Sequence, residues 1–136
     1  EGIEVLHYTQ FIKRLADEGK LKLNAGDERI VYHDPCELGR GCGVYKEPRE
    51  VLGQVGTLVK SAKEGDESIC CGGSLGSLTL DARDRAKITE SSVGNLLTNN
   101  PQTIVTACPL CLKTFSESVP DTVQVKDFAE TVSQHL

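Results

Sequence analysis

Thr103-Ile104-Val105-Thr106-Ala107-Cys108-Pro109-Leu110-Cys111 decides how the chain folds. The β-branched run Thr103 to Thr106 reads as a strand. Pro109 suits the first position of a helix, where a missing N–H costs nothing. Cys108 is therefore the expected cap of that helix, and Cys111 shares its face. A strand that passes directly into a helix is the repeating unit of a parallel sheet covered by helices. It also leaves a thiol just beyond the strand's carboxyl end, where such sheets place their sites.

The same alternation extends in both directions. Upstream, Arg29-Ile30-Val31-Tyr32-His33 is a β-rich run ending in Asp34-Pro35-Cys36, so a second thiol follows a strand end. Pro48 opens a helix with Val51, Leu52 and Val55 on one face, and Gly56 closes it before the short strand Thr57-Leu58-Val59. A charged surface stretch, Lys60 to Ser68, precedes Ile69-Cys70-Cys71-Gly72-Gly73. The longest helix spans about Asp81 to Leu97, capped by Thr79 or Asp81, with Ala82, Ala86, Val93, Leu96 and Leu97 as its apolar stripe. Downstream, Val123-Gln124-Val125 is a strand, and Asp127 to Gln134 a short helix with Phe128 and Val132 inward. At the start, Val5-Leu6-His7 reads as a strand, Thr9 as the cap of a helix carrying Phe11, Ile12 and Leu15, and Gly19 as its stop. The fold expected is α/β: a mostly parallel sheet with helices on both faces, Rossmann-like, with cysteines beyond the strand carboxyl ends.

Composition limits the function classes. The 136 residues suit a single domain over 1–136 with its own core. Aromatics make up only 4%, so the core is aliphatic. The net charge of −5, with scattered basic residues, argues against a nucleic-acid partner. No apolar run approaches the ~18 residues of a membrane span, so direct membrane insertion is not expected. The chain contains no methionine, which reads as a domain excised from a longer, multi-domain protein.

The six cysteines carry the chemistry. Apart from Cys42, they follow C-x33-C-C-x36-C-x2-C. Nothing signals export, and in a reducing compartment clustered thiols act as metal ligands or redox groups more often than as a disulfide scaffold. A lone C-x-x-C fits a dithiol–disulfide exchange pair, half a zinc site or cluster ligation equally well. Its position at a helix start favours thiolate in all three cases. The adjacent Cys70-Cys71 narrows the choice. Five thiols exceed the four of a tetrahedral zinc site, whereas a cluster with several irons can use more sulfurs. Gly72-Gly73 and the loop Gly39-Arg40-Gly41-Cys42-Gly43 could turn backbone N–H groups toward inorganic sulfide.

Beside these thiols, His7 and His33 read as strand-end residues, Asp34 as a turn or cap residue, and His135 as part of a frayed end. Arg40 and Arg49 read as a structural salt bridge or as charge balance for an anionic cluster or substrate.

Tyr32-His33-Asp34-Pro35-Cys36, Leu38-Gly39-Arg40, Pro48-Arg49-Glu50, Cys70-Cys71-Gly72-Gly73 and Ala107-Cys108-Pro109-Leu110-Cys111 together resemble the cysteine-rich CCG domain. This family includes a subunit of heterodisulfide reductase and the iron–sulfur subunits of glycolate oxidase, lactate utilisation and anaerobic glycerol-3-phosphate dehydrogenase systems. The resemblance covers about residues 5 to 130, and within the family the sequence is similar to the C-terminal copy of a two-copy protein. It implies a non-cubane [4Fe-4S] cluster held by Cys36, Cys70, Cys71, Cys108 and Cys111, in an oxidoreductase component that transfers electrons or reduces a disulfide. Zinc bound by the same cysteines in a structural module is the alternative. The implied partners are a second CCG domain and a ferredoxin-like or flavin-containing redox domain or subunit. The implied location is the cytoplasm, peripheral to the membrane through partner subunits. Cys42 lies outside the motif.

Overall fold

A computed structural model describes residues 2–73 and 78–136. Four parallel strands form one sheet: β1 (Arg29–His33), β2 (Thr57–Leu58), β3 (Thr103–Thr106) and β4 (Gln124–Asp127), in the order β2-β1-β3-β4. The helices are α1 (Tyr8–Asp17), α2 (Lys46–Val55), α3 (Ala82–Leu96), α4 (Pro109–Ser116) and α5 (Phe128–Ser133). The fold is α/β, and the sheet is all parallel.

Alternation along the central strands divides the core into two layers. Ile30, Tyr32 and Val105 face α2 and α5, where they pack with Val51, Leu52, Val55, Phe128 and Val132, and α1 adds Tyr8 and Ile12. Val31 and Ile104 face the opposite side, with Val93 and Leu96 of α3 and Cys111 and Phe115 of α4. Both faces are covered, so the central strands are buried along nearly their whole length, polar Thr103, Thr106 and His33 included. Phe115 and Phe128 are fully buried, one in each layer, and each burial is worth about 1.5–3 kcal/mol.

The strand order positions the site. After β1 the chain moves outward to β2, then crosses back over β1 to β3. The order reverses between β1 and β3, which pair directly from Ile30↔Thr103 to His33↔Thr106. Open α/β sheets bind ligands at such a reversal, beyond the carboxyl ends of the strands. Cys36 follows β1 and Cys108 follows β3, so both stand at this point.

Several local expectations are corrected. Val5-Leu6-His7 is not a strand: among the described residues no strand pairs with it, and Val5 is exposed. His7, rather than Thr9, caps α1. Its ring accepts from the Thr9 N–H while the Gln10 side chain accepts the His7 N–H, a reciprocal cap, and Thr9 is buried inside the helix. Gly19 does follow the helix end in the left-handed region, at φ +67. Helix α2 begins at Lys46, two residues before Pro48. Asp81 caps α3, but Ala82 and Ala86 are exposed, and the buried face is Thr89, Ser92, Val93 and Leu96. The two hydroxyls serve irregular backbone that must be hydrogen-bonded: Thr89 donates to the Cys71 carbonyl at 2.7 Å and Ser92 to the Ile69 carbonyl at 3.2 Å. His135 is anchored rather than frayed. Its ring bonds the Asn24 carbonyl at 2.9 Å, and its own carbonyl accepts from the Asn24 N–H at 2.7 Å.

Candidate iron–sulfur site

The cysteine-bearing segments are fixed to one another by polar side chains at the end of β1. Asp34 is buried and takes a bidentate pair of hydrogen bonds from Arg49, at 2.5 and 2.7 Å. The same carboxylate accepts from the Gly65 N–H at 2.8 Å, and the Asp34 carbonyl accepts from the Ser68 hydroxyl. Arg40 donates to the Ser68 carbonyl at 2.8 Å. The turn after β1 is thus tied to the chain entering Cys70. Arg49 and Arg40 are structural in this arrangement, and Asp34 is a hub rather than a simple turn residue. Asp34→Ala is expected to cost about 2–4 kcal/mol, because it removes the carboxylate that the half-buried Arg49 pairs with and leaves the Gly65 N–H without its acceptor. Urea unfolding measures that loss, and faster hydrogen exchange at Gly65 would locate it.

His33 performs the same task on the other side of the sheet. It is buried, its Nε2 faces the Ile69 carbonyl at 3.1 Å and its Nδ1 faces the Thr106 hydroxyl at 3.4 Å. Its ring meets Phe115 edge-on, with centroids 4.7 Å apart. One imidazole therefore joins the approaches to Cys36, Cys70-Cys71 and Cys108 to the helix that carries Cys111. Burial lowers its pKa and keeps it neutral, as a donor–acceptor pair requires.

These ties leave a cleft of about 490 Å³ whose lining includes Cys36, Cys71, Cys108 and Cys111. Its walls are largely apolar, from Pro35, Leu38, Ala107, Pro109 and Leu110. Cys70 stands beside Cys71, and its Sγ accepts from the Gly72 N–H at 3.4 Å. The Gly73 N–H likewise meets Cys71 Sγ at 3.4 Å. The paired glycines thus direct their N–H groups at cysteine sulfur. The other glycine-rich segment does not supply donors in this way. Glu37–Gly41 forms a single π-helical turn, in which the Gly39 N–H bonds the Pro35 carbonyl and the Gly43 N–H bonds the Gly39 carbonyl. Gly39 is needed for packing, since a Cβ there would lie 2.6 Å from the Tyr45 ring. Such π-helical turns are frequent at functional sites.

Sequence reasoning did not assign two residues that line the cleft, Cys42 and His7. Cys42 ends the π-turn and is exposed. His7 reaches the cleft because it caps α1, and histidine is an unusual cap with no sequence signature of its own.

No disulfide joins the six cysteines. Cys111 Sγ lies 3.3 Å from Cys71 Sγ. Hydrogen bonds to Cys108 and Cys71 keep the Cys111 thiol protonated and raise its pKa, while hydrogen bonding from Cys111 and Cys70 lowers that of Cys71. Cys108 is lowered to about 6, first by Cys111 and then by the backbone N–H groups of Cys111 and Leu110 at the start of α4. In the metal-free chain, alkylation of Cys108 should therefore rise through about pH 6 and level off near neutrality. Mass mapping of iodoacetamide adducts against pH would reveal this; an inflection near pH 8.5, about the ordinary thiol value, would contradict it. Among the described residues no three His, Cys, Asp or Glu side chains converge on a single-ion site. The thiols are distributed around the cleft.

Residues 30–116 match the CCG cysteine-rich domain. The chain belongs to the CCG cysteine-rich domain family. It is 36% identical over 138 residues to a probable membrane-anchored ferredoxin of Chromohalobacter salexigens, covering 97% of this chain and 21% of that protein. Identity is also 36% over 143 residues to an EtfAB:quinone oxidoreductase of Syntrophomonas wolfei, covering 95% of this chain and 20% of the relative. It is 32% over 140 residues to one subunit of the dihydromethanophenazine:CoB–CoM heterodisulfide reductase of Methanosarcina acetivorans, covering 98% of this chain and 34% of that subunit. This CCG chain spans about a fifth to a third of the length of these relatives.

Proposed function

We propose that this CCG domain holds an iron–sulfur cluster through Cys36, Cys70, Cys71, Cys108 and Cys111 and acts as a redox unit of an oxidoreductase. The observation that carries the reading is the cleft at the sheet's reversal point, with four of these thiols on its wall and the fifth adjacent. A donor set made only of thiols, spread around a cavity, suits a polynuclear cluster, whose irons take sulfur ligands from several directions. The largely apolar wall suits it too, since low polarity and limited solvent help set a cluster's potential. Five thiolates exceed the four that zinc takes, and a non-cubane [4Fe-4S] form of the cluster is what the resemblance to heterodisulfide reductase implies.

When bound, such a cluster supplies one-electron transfer and, in a heterodisulfide reductase-like setting, disulfide reduction. The chain's own residues order the thiols: His33, Asp34, Thr89 and Ser92 fix the segments that carry them, and the Gly72 and Gly73 N–H groups stabilise anionic sulfur. The domain would work within a longer protein, exchanging electrons with a second CCG domain and a ferredoxin-like or flavin-containing unit. Among the described residues no helix is long and apolar enough to cross a membrane. Membrane association, where it occurs, would run through such partners.

The test is a reductive titration of the chain loaded anaerobically with iron and sulfide. Reversible bleaching of visible absorption with a matching electron paramagnetic resonance signal is expected. A colourless, redox-silent protein would overturn the reading.

A further inference from the structure

His7 stands on the wall of the thiol cleft together with Cys36, Cys42, Cys71, Cys108 and Cys111. Its ring is held from one side only. Nδ1 accepts from the Thr9 N–H at 3.3 Å and meets the Thr9 hydroxyl at 2.9 Å. That engagement places the proton of the neutral ring on Nε2. No described residue hydrogen-bonds Nε2. Burial lowers the His7 pKa, opposed by the Asp127 carboxylate, and the net shift favours the neutral ring. The ring also packs on Tyr8, centroids 4.4 Å apart, and Tyr8 is fixed against Phe128 and Asp127. The imidazole is therefore oriented by α1 and the core before anything enters the cleft. Beyond the cysteines and Glu37, it is the other titratable group on the wall among the described residues.

We propose that His7 is a side-chain hydrogen-bond donor to anionic sulfur, additional to the Gly72 and Gly73 N–H groups: its Nε2–H, oriented by the cap of α1, donates to a sulfide or thiolate held among the cleft cysteines. This rests on the cluster reading. The anionic sulfur has two possible sources, the inorganic sulfide of the cluster and the thiolate of a small thiol entering the cleft. Either way the donor strengthens as charge accumulates on sulfur, so it favours the reduced state or the bound thiolate. His7 is a positioning and tuning residue in this account and forms no covalent bond.

The cap makes a clean variant available. Asparagine is a strong cap, so His7→Asn keeps an acceptor for α1 but is too short to carry a donor to the cleft. His7→Ala removes both functions. The loaded chain and both variants are compared by thermal unfolding, iron and sulfide content, reduction potential, and absorption changes on titration with 2-mercaptoethanol. His7→Asn is expected to match the parent in unfolding and cluster content. A more negative potential without added thiol assigns the acceptor to cluster sulfide. An unchanged potential with at least about tenfold weaker 2-mercaptoethanol binding assigns it to bound thiolate. If His7→Asn alters neither the potential nor thiol binding, while the parent is fully loaded, the proposal fails and the cluster reading stands. If the parent takes up no iron and sulfide, both fail.

Discussion

Replacing Cys71 by serine is expected to abolish iron and sulfide uptake, and replacing Cys70 is expected to do the same. Cys71 is buried, lines the cleft and lies 3.3 Å from Cys111 Sγ, while Cys70 neighbours it with the Gly72 N–H on its sulfur. Serine is a poor ligand for soft metal, and each change would remove one thiolate from the proposed set of five. A zinc site needs only four ligands and should survive one of the two substitutions. Measuring bound iron, sulfide and zinc in each variant after identical anaerobic loading separates these cases. Retention of a full cluster by either variant would remove that cysteine from the ligand set.

Gly72→Ala is expected to have the largest effect among substitutions away from the thiols. Gly72 has φ +83, where a Cβ is strained. That Cβ would lie 2.6 Å from the Thr89 hydroxyl and 2.9 Å from the Arg85 carbonyl, and the second is helix backbone that cannot swing away. Left-handed strain and overpacking together amount to about 2–5 kcal/mol. Because Thr89 also holds the Cys71 carbonyl, the displacement would pass directly to this proposed ligand. Reduced thermal stability and reduced cluster loading are the expected readouts. Gly94→Ala is the control. Gly94 lies in the exposed part of α3 with nothing within 4 Å of an added Cβ, so alanine should stabilise by about 0.4–1 kcal/mol. If the two variants behaved alike, the steric account of the paired glycines would be wrong.

The fold was legible where local signals and tertiary context agree. Thr103 to Thr106 and Ile30 to Tyr32 are β-branched or aromatic, central in the sheet and buried, so their pattern matches their environment. Pro109 and Cys108 occupy the first helical position and the cap as expected. Legibility ended where a long-range partner decides the outcome. Val5 to His7 has strand-like composition but no described strand beside it. The inner face of α3 is half polar because it must satisfy the backbone around Cys70-Cys71, which a search for apolar spacing cannot detect. Asp34 looks like a turn residue until the fold brings Arg49 and Gly65 to it. The candidate ligands were legible because thiol chemistry restricts them. His7 was not, because its place on the cleft depends on how α1 packs against the sheet.

The most direct test of the account is iron, acid-labile sulfide and zinc content per chain after anaerobic reconstitution with iron, zinc and sulfide available in competition. The account predicts iron and sulfide in near-equal amounts, several of each per chain, and zinc well below one. One zinc per chain with no iron or sulfide would contradict it and make the cleft a structural thiolate site.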